Sequence, residues 1–345
     1  MVSAKALKEL NLPHLKYLQG PLEHEAHGAK PPNLATDGSL VFVSNQEQLA
    51  HAIEKNPAIL IVLNKLPLDT IPARFCVFTC PDIKMAMSVI LPYFDNFETV
   101  WDQDPKISPM AYVHPLARLG PGVIIQPFAW IGPHVILGAN CRIGVGTVIQ
   151  DRSLVGQGTT IHPQVFVAAD TEIGIDCEIH PHTSIGSPGF GFASTSTFRH
   201  HKIPQIGRVV LGDRVRIGSN CNIDRATLLE TRIGSGTKID AHCHIAHNCE
   251  VGEDGLIAAG FFTAGSTRIG HRFVTGGGSV TADHLLITDD VMLAGRSTVT
   301  NDILEKGQYG GYPLQPLKDS LRTLASLPHL VQLRKHFAKL VKNSE

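Results

Sequence analysis

The sequence predicts a mainly β protein: a parallel β-helix, with a small α/β domain before it and a helical segment after it. Three observations carry this reading. Aliphatic residues recur every six positions from Val113 to Val299, glycine repeatedly follows them, and the period is absent from both ends of the chain. A helix needs a period of 3.6 and an alternating strand a period of 2, and a sustained six fits neither. Hexapeptide periodicity marks a stacked solenoid.

Residues 1–106 lack the period. Residues 39–44 (SLVFVS) and 58–63 (AILIVL) read as strands. Residues 45–55 and 82–93 read as helices, the second offering Met85, Met87, Val89 and Ile90 for packing. Alternation of strand and helix suggests a small α/β domain. Pro31 and Pro32 mark a loop before it, and Asp104, Pro105 and Lys106 mark its end. The predicted organisation is therefore 1–106, then a β-helix over 107–313, then a tail over 314–345.

The count runs unbroken through Val113, Leu119, Ile125, Ile131 and onward to Ile185. It resumes at Leu211, resets at Ile233 and holds phase to Val299, although Thr263, Thr275 and Thr281 weaken it. Six residues make one short strand and a corner. Three such units close a triangular coil of about eighteen residues, stacked ~4.8 Å above the last. One aliphatic side chain per unit points inward. Glycine beside it allows backbone geometry that a Cβ would hinder.

Between Ile185 and Leu211 the count is broken by SPGFGFASTSTFRHHKIPQIGRV, so a loop over about 187–208 projects from the solenoid. Insertions in repeat proteins tend to lie on the functional face. Phe190, Phe192 and Phe198 support that reading, because a merely solvated loop seldom keeps aromatics. In the tail, Leu317, Leu321, Leu324, Leu330, Leu333, Phe337 and Leu340 recur near helical spacing, and Pro328 predicts two short helices rather than one. Lys318, Arg322, Arg334, Lys335, Lys339 and Lys342 give the tail a basic face, either solvated or docked on an acidic partner.

A formal net charge of −1 excludes nucleic-acid binding driven by bulk charge, and apolar residues at 43% fit a globular chain. The segment MVSAKALKEL lacks the apolar stretch of an export signal, and nowhere do eighteen apolar residues run together. The seven cysteines show no paired metal spacing. Cys141, Cys177, Cys221, Cys243 and Cys249 fall at repeat corners and read as small packing residues in a reducing compartment, hence a cytoplasmic protein.

Chemistry concentrates in histidine. The densest stretch is Asp240-Ala-His242-Cys-His244-Ile-Ala-His247-Asn248. The period converts numbers into geometry: Gly265 lies one coil above His247, and His284 two coils above and one residue on. A base, a backbone N–H and a second histidine then line one vertical groove, an arrangement suited to acyl transfer. His114, His162 and His180 each follow an inward aliphatic and read as structural corner residues.

The runs KIPQIGRVVLGDRVRIGSNCNIDRA and IGSGTKIDAHCHIAHN, with SPGFGF, YPLQP and LPYF, resemble the UDP-3-O-(3-hydroxyacyl)glucosamine N-acyltransferases of lipid A biosynthesis. The resemblance is strong from about residue 113 to 316. It implies a homotrimer of left-handed β-helices with an N-terminal uridine-binding domain. It also implies transfer of a 3-hydroxyacyl chain from acyl carrier protein to the sugar 2-amine. No cofactor is held permanently; the phosphopantetheine arm arrives on the carrier. His247 in IAHN matches the family's catalytic base, the Gly265 N–H in TAGS its oxyanion donor, and His284 a second histidine assisting the oxyanion or the arm. Asp240 matches a family aspartate. By coil arithmetic it lies about one prism face from His247, so a direct bond requires a neighbouring subunit or a corner position. Phe190, Phe192 and Asn248 are assigned to the acyl and pantetheine groove. Phe42 and Asn45 match the family's uracil-holding aromatic and amide, although Gln46-Glu47-Gln48 replaces its Pro-Lys-Tyr, and Phe42 fits equally as a core residue of its strand. Arg334, Lys335 and Lys339 are assigned to carrier docking.

Two other readings remain at this level. One is a metal-dependent trimer of the γ-carbonic anhydrase type using His242, His244 and His247. The other is a non-catalytic binding solenoid.

Overall fold

The computed structural model describes residues 1–10, 12, 14–94, 101, 104–310 and 317–342, with side chains of the last helix described at 322, 323 and 325–337. The chain divides into two compact units, Met1–Asp102 and Gln103–Glu345.

The first unit is built on a five-stranded sheet. Its strands are β1 (Lys16–Gln19), β2 (Gly28–Ala29), β3 (Ser39–Val43), β4 (Ile59–Leu63) and β5 (Cys76–Cys80), in the order β1-β5-β4-β3-β2. All neighbours are parallel except β1 with β5. Helices α1 (Gln46–Lys55) and α2 (Ile83–Ile90) follow β3 and β5. Near-continuous apolar runs in β3 and β4 fit strands covered on both faces, and Leu40, Val41, Ile59, Leu60, Ile61 and Val62 are fully buried. The expected strands and helices are present. Strands β1, β2 and β5 were not anticipated.

The second unit is the solenoid. Its strands are mostly two residues long and form three parallel sheets of ten, ten and nine strands. Pairs such as Ile131 with Ile149 show the eighteen-residue coil directly. Two interruptions break it: Ile185 pairs with Ile223, and Ile223 with Ile245. The first admits the projecting loop. The second admits the short segment 226–229, which is why the count resets at Ile233.

Each corner follows one plan. The inward residue, such as Ile143, Ile179 or Ile245, is fully buried. Two positions before it lies a second buried row of small residues: Thr147, Thr159, Thr237 and the five corner cysteines. The threonines cap carbonyls of the next coil, as Thr147 Oγ1 does to His162 O at 2.8 Å and Thr159 Oγ1 to Gly174 O at 2.8 Å. All seven cysteines are free and buried. Burial pushes the Cys76, Cys80 and Cys141 thiols up to about 11, so these act as packing groups.

The glycine after the inward residue is required by close approach rather than by φ. A Cβ on Gly144 would sit 2.4 Å from Pro163 N in the next coil. The left-handed residue is instead three places after the inward one, as at Asn220, His242, Asn248 and His284 (φ 57°, 58°, 60° and 57°). Between them, the second corner residue keeps its N–H out of the backbone ladder. Pro121, Pro127, Pro133, Pro163 and Pro181 all occupy this position, where a residue without a donor loses nothing.

The tail corrects one expectation. Leu317–Lys342 is a single helix, α3, with Pro328 inside it. Proline removes one donor, and the helix continues through it. Leu327, Leu330, Val331, Leu333 and Phe337 are exposed along it. Among the described residues no helix is long and apolar enough to cross a membrane.

Candidate active site

Four strands of one sheet stack to form the site: β6 (Asn222–Arg225), β7 (His244–Ile245), β8 (Phe262–Thr263) and β9 (Val280–Thr281). The register aligns Ile223, Ile245, Thr263 and Thr281. The corners that follow therefore stack too. Ser266 N–H donates to His247 O at 2.9 Å, and His284 N–H to Gly265 O at 3.0 Å. His247, Gly265 and His284 line one groove of about 510 Å³, together with Phe190, Asp224, His244 and Asp283.

The His247 ring is clasped between two glycines. A Cβ on Gly265 would lie 2.6 Å from its Cε1, and one on Gly189 would lie 2.6 Å from its Cβ and 2.8 Å from its Cδ2. Gly189 belongs to the projecting loop, so the insertion closes one face of the ring. Asn248 Nδ2 donates to His247 Nδ1 at 2.8 Å. Thr227 N–H holds Asn248 Oδ1 at 2.8 Å, which fixes the amide with its nitrogen toward the ring. That leaves Nε2, which no hydrogen bond uses among the described residues. Gly265 occupies the second corner position, and its N–H is likewise unused by the fold. A ring nitrogen and a free backbone donor thus stand side by side, as proton transfer and oxyanion binding require.

Two groove residues were not singled out from the sequence. Asp224 is 8% exposed, and burial pushes its carboxyl up to about 7. His244 Nε2 lies 3.5 Å from its Oδ2. Burial, and then the charge of His247, push the His244 ring down. The signal for Asp224 was a carboxylate directly after an inward aliphatic, where glycine and alanine are common. At the far end, His284 Nδ1 lies 3.1 Å from Asp283 Oδ2, and that contact holds the Asp283 carboxyl below its ordinary range.

The other assigned residues distribute differently. Phe190 lines the groove and is 84% exposed, with Phe192 packed against it at 4.9 Å between ring centroids. Asn248 stands behind the His247 ring, in a depression with Arg208, Thr227, Leu228 and Leu229. Asp240 lies in a separate groove on another sheet, with His180, Arg216 and Lys238, and its Oδ1 accepts from Ala241 N–H at 2.7 Å. Within one chain it does not line the His247 groove. Phe42 is half-buried and packs against the core that contains Leu40, Ile61 and Phe78. Asn45 caps α1, its Oδ1 accepting from Gln48 N–H at 2.9 Å, so its amide nitrogen is the group least committed to the fold. Arg334 and Lys335 are exposed on α3, and the Lys339 side chain lies outside the described residues.

Among the described residues, one cluster has metal-ligand proximity, and it is His162, Glu178 and His180, not His242, His244 and His247. The His162 and His180 rings stack at 4.8 Å, and Glu178 Oε1 lies 3.2 Å from each Nε2. These bonds, with Arg216 at 3.4 Å, hold the Glu178 carboxyl far below its ordinary range. Arg216 Nε also lies 3.1 Å from His180 Nε2. The half-exposed Arg216 guanidinium supplies the cluster's positive charge, in keeping with a structural role for its histidines.

Comparison with known proteins bears on the fold and the family. Residues 230–260 match the bacterial transferase hexapeptide family (six repeats). The UDP-N-acetylglucosamine acyltransferase of Arabidopsis has a similar structure, with a TM-score of 0.53 and 26% identity over 59% of this chain and 71% of that one. Fold and repeat together define a left-handed parallel β-helix acyltransferase. The UDP-3-O-acylglucosamine N-acyltransferase of Methylococcus capsulatus is 44% identical over 310 residues, covering 88% of this chain and 86% of that protein. The protein of the same name from Wolinella succinogenes is 45% identical over 166 residues, 48% of this chain and 52% of that protein. The chain belongs to the UDP-3-O-acylglucosamine N-acyltransferase family and is an acyltransferase of lipid A synthesis.

Proposed function

We propose that the chain transfers a 3-hydroxyacyl group from the phosphopantetheine thioester of an acyl carrier protein to the 2-amine of UDP-3-O-(3-hydroxyacyl)glucosamine. The observation that carries this reading is the pairing of the clasped His247 ring with the unused Gly265 N–H. The amine nitrogen adds to the thioester carbon, and the carbonyl oxygen gains charge beside the Gly265 N–H. His247 takes the proton from the attacking nitrogen at Nε2. The C–S bond then breaks, and the departing sulfur leaves as a thiol with that proton. His284 is placed to assist the oxyanion or the pantetheine arm, and Phe190 with Phe192 offers apolar surface to the chain. The chemistry uses the chain's own residues, with no resident metal or cofactor. Assay with a series of acyl carrier protein thioesters and UDP-linked glucosamine acceptors tests this. Transfer to oxygen but not nitrogen, or transfer from coenzyme A alone, would refute it.

The working assembly is a homotrimer in the cytoplasm. Supporting this are the exposed apolar side chains of α3 and the exposed Ile206, Leu228 and Leu229 beside the site, all without a covering element in one chain. A neighbouring subunit would also give Asp240 a route to the His247 groove. Light scattering should give three times the mass of the chain, and an active monomer would overturn the assembly.

Arg334 and Lys335 dock the acidic carrier, and Phe42 with the Asn45 amide nitrogen holds the uracil. Arg334→Glu with Lys335→Glu should raise the carrier KM severalfold at low salt, with kcat and the sugar KM unchanged. The effect should shrink as salt rises, because exposed charges are screened within about 10 Å at 0.1 M. An unchanged carrier KM at low salt would return α3 to a purely structural role.

A further inference from the structure

Both interruptions of the hexapeptide count converge on one ring. Gly189 and Gln205 come from the projecting loop, Thr227 comes from the short segment 226–229, and all of them bear on His247 directly or through Asn248. Gln205 is 7% exposed, and its Nε2 donates to Ile203 O at 3.1 Å. Its Oε1 accepts from Thr227 Oγ1 at 2.9 Å. Thr227 Oγ1 in turn accepts from Asn248 Nδ2 at 3.2 Å, and Asn248 Nδ2 also donates to His247 Nδ1 at 2.8 Å.

Every bond in this chain has a fixed direction. The Ile203 carbonyl can only accept, so the Gln205 amide nitrogen faces it and the Gln205 oxygen faces Thr227. The Thr227 N–H can only donate, so Asn248 Oδ1 faces it at 2.8 Å and the Asn248 nitrogen faces the ring. Nδ1 of His247 is then an acceptor, and the neutral ring carries its proton on Nε2. Taking a proton at Nε2 requires the other tautomer, with Nδ1 protonated and an acceptor opposite it.

We propose that Asn248 is a positioning residue that sets the tautomer of His247, held in its resting orientation by the Thr227 N–H. This inference rests on His247 acting as the base. At rest the ring presents N–H to the groove. Before the amine is deprotonated, solvent water protonates Nδ1 as the Asn248 amide turns about its Cβ–Cγ bond, gives up the Thr227 N–H and offers Oδ1 to the new Nδ1–H. The Nε2 proton then leaves to water in the open groove, so the ring stays neutral with its Nε2 lone pair free. The charged and titratable groups around the ring are Asp224, His244, Asp283 and His284, all lining the same groove.

Asn248→Asp and Asn248→Leu separate this role from packing. Aspartate presents oxygen to both neighbours, so it holds Nδ1–H without a turn, and its charge favours the imidazolium. In Asn248→Asp the rising limb of kcat against pH should move to higher pH while the plateau is kept or raised. The ¹⁵N shifts of the His247 ring should change from an Nε2–H to an Nδ1–H pattern. Asn248→Leu can hold neither tautomer, and its kcat should fall roughly 10- to 100-fold at unchanged KM. Thr227→Val, which keeps the backbone N–H, should keep the Nε2–H pattern. An Nδ1–H pattern in the unmodified enzyme, or an unmoved limb in Asn248→Asp, would overturn the proposal. If His247→Ala stays active, the base assignment itself fails. If His247→Ala is inactive while both Asn248 variants behave as wild type, only the tautomer role fails.

Discussion

Replacing His247 with alanine is expected to leave the assembly and its melting temperature intact and to lower kcat on the order of 10²–10⁴-fold, the usual contribution of acid–base catalysis. The ring is held from outside the hydrophobic core, between Gly189 and Gly265, so its removal costs the solenoid none of its inward row. In wild type the rate should rise with pH along one ionisation that vanishes in the variant. Asp224 needs its own control, because its carboxyl is pushed up to about 7 and loses its proton as pH rises through neutrality. Repeating the profile with Asp224→Asn removes that titration, and a limb that persists there but not in His247→Ala belongs to His247. Metal analysis addresses the remaining rival. A ligand role would give about one zinc per site, lost together with activity in His247→Ala, and that result would overturn the base assignment.

The second large effect is expected from Gly265→Ala. The added methyl would sit 2.6 Å from Cε1 and 2.9 Å from Nε2 of His247. The ring cannot retreat, because Gly189 closes its other face. The backbone donor survives the substitution, but ring and donor no longer stand in the same relation. A displacement on the order of 1 Å at a reacting group costs about 10²-fold in rate. Gly189→Ala crowds the opposite face and should show a loss in the same direction. A wild-type rate in both variants would show that the clasp does not position the base.

The groove was legible in the sequence because the coil converts spacing into distance. His247 and Gly265 are eighteen residues apart, which places them one coil apart whatever the side chains do. The inward row was legible for the same reason. What stayed hidden depends on departures from the period. The contact of Thr227 with Asn248 exists only because the segment 226–229 bulges from its coil, and no spacing rule predicts where a bulge points. Asp224 was hidden because its importance comes from burial, which a residue type does not announce. Asp240 shows the limit of one chain: the arithmetic placed it on another face, and there it lies. In the tail, the expectation at Pro328 failed because a lost donor weakens a helix without forbidding it. In the first unit, β1 is an edge strand paired antiparallel with β5 and lacks the apolar run that revealed β3 and β4, whereas β5 carries such a run in Phe75-Cys76-Val77-Phe78 that was passed over.

The prolines at the second corner position have a consequence for how such an enzyme can change. A corner that spends no backbone donor on the fold is chemically vacant, and the solenoid repeats that vacancy at every turn. Proline erases it, a polar side chain from a neighbouring coil plugs it, as Asp213 from the coil above does for Ile175 N–H at 2.9 Å, and glycine leaves it open. The prism is in this sense a column of addresses, some of them silenced and others left open. A new catalytic position requires no refolding, only the reopening of one address beside a suitable neighbour.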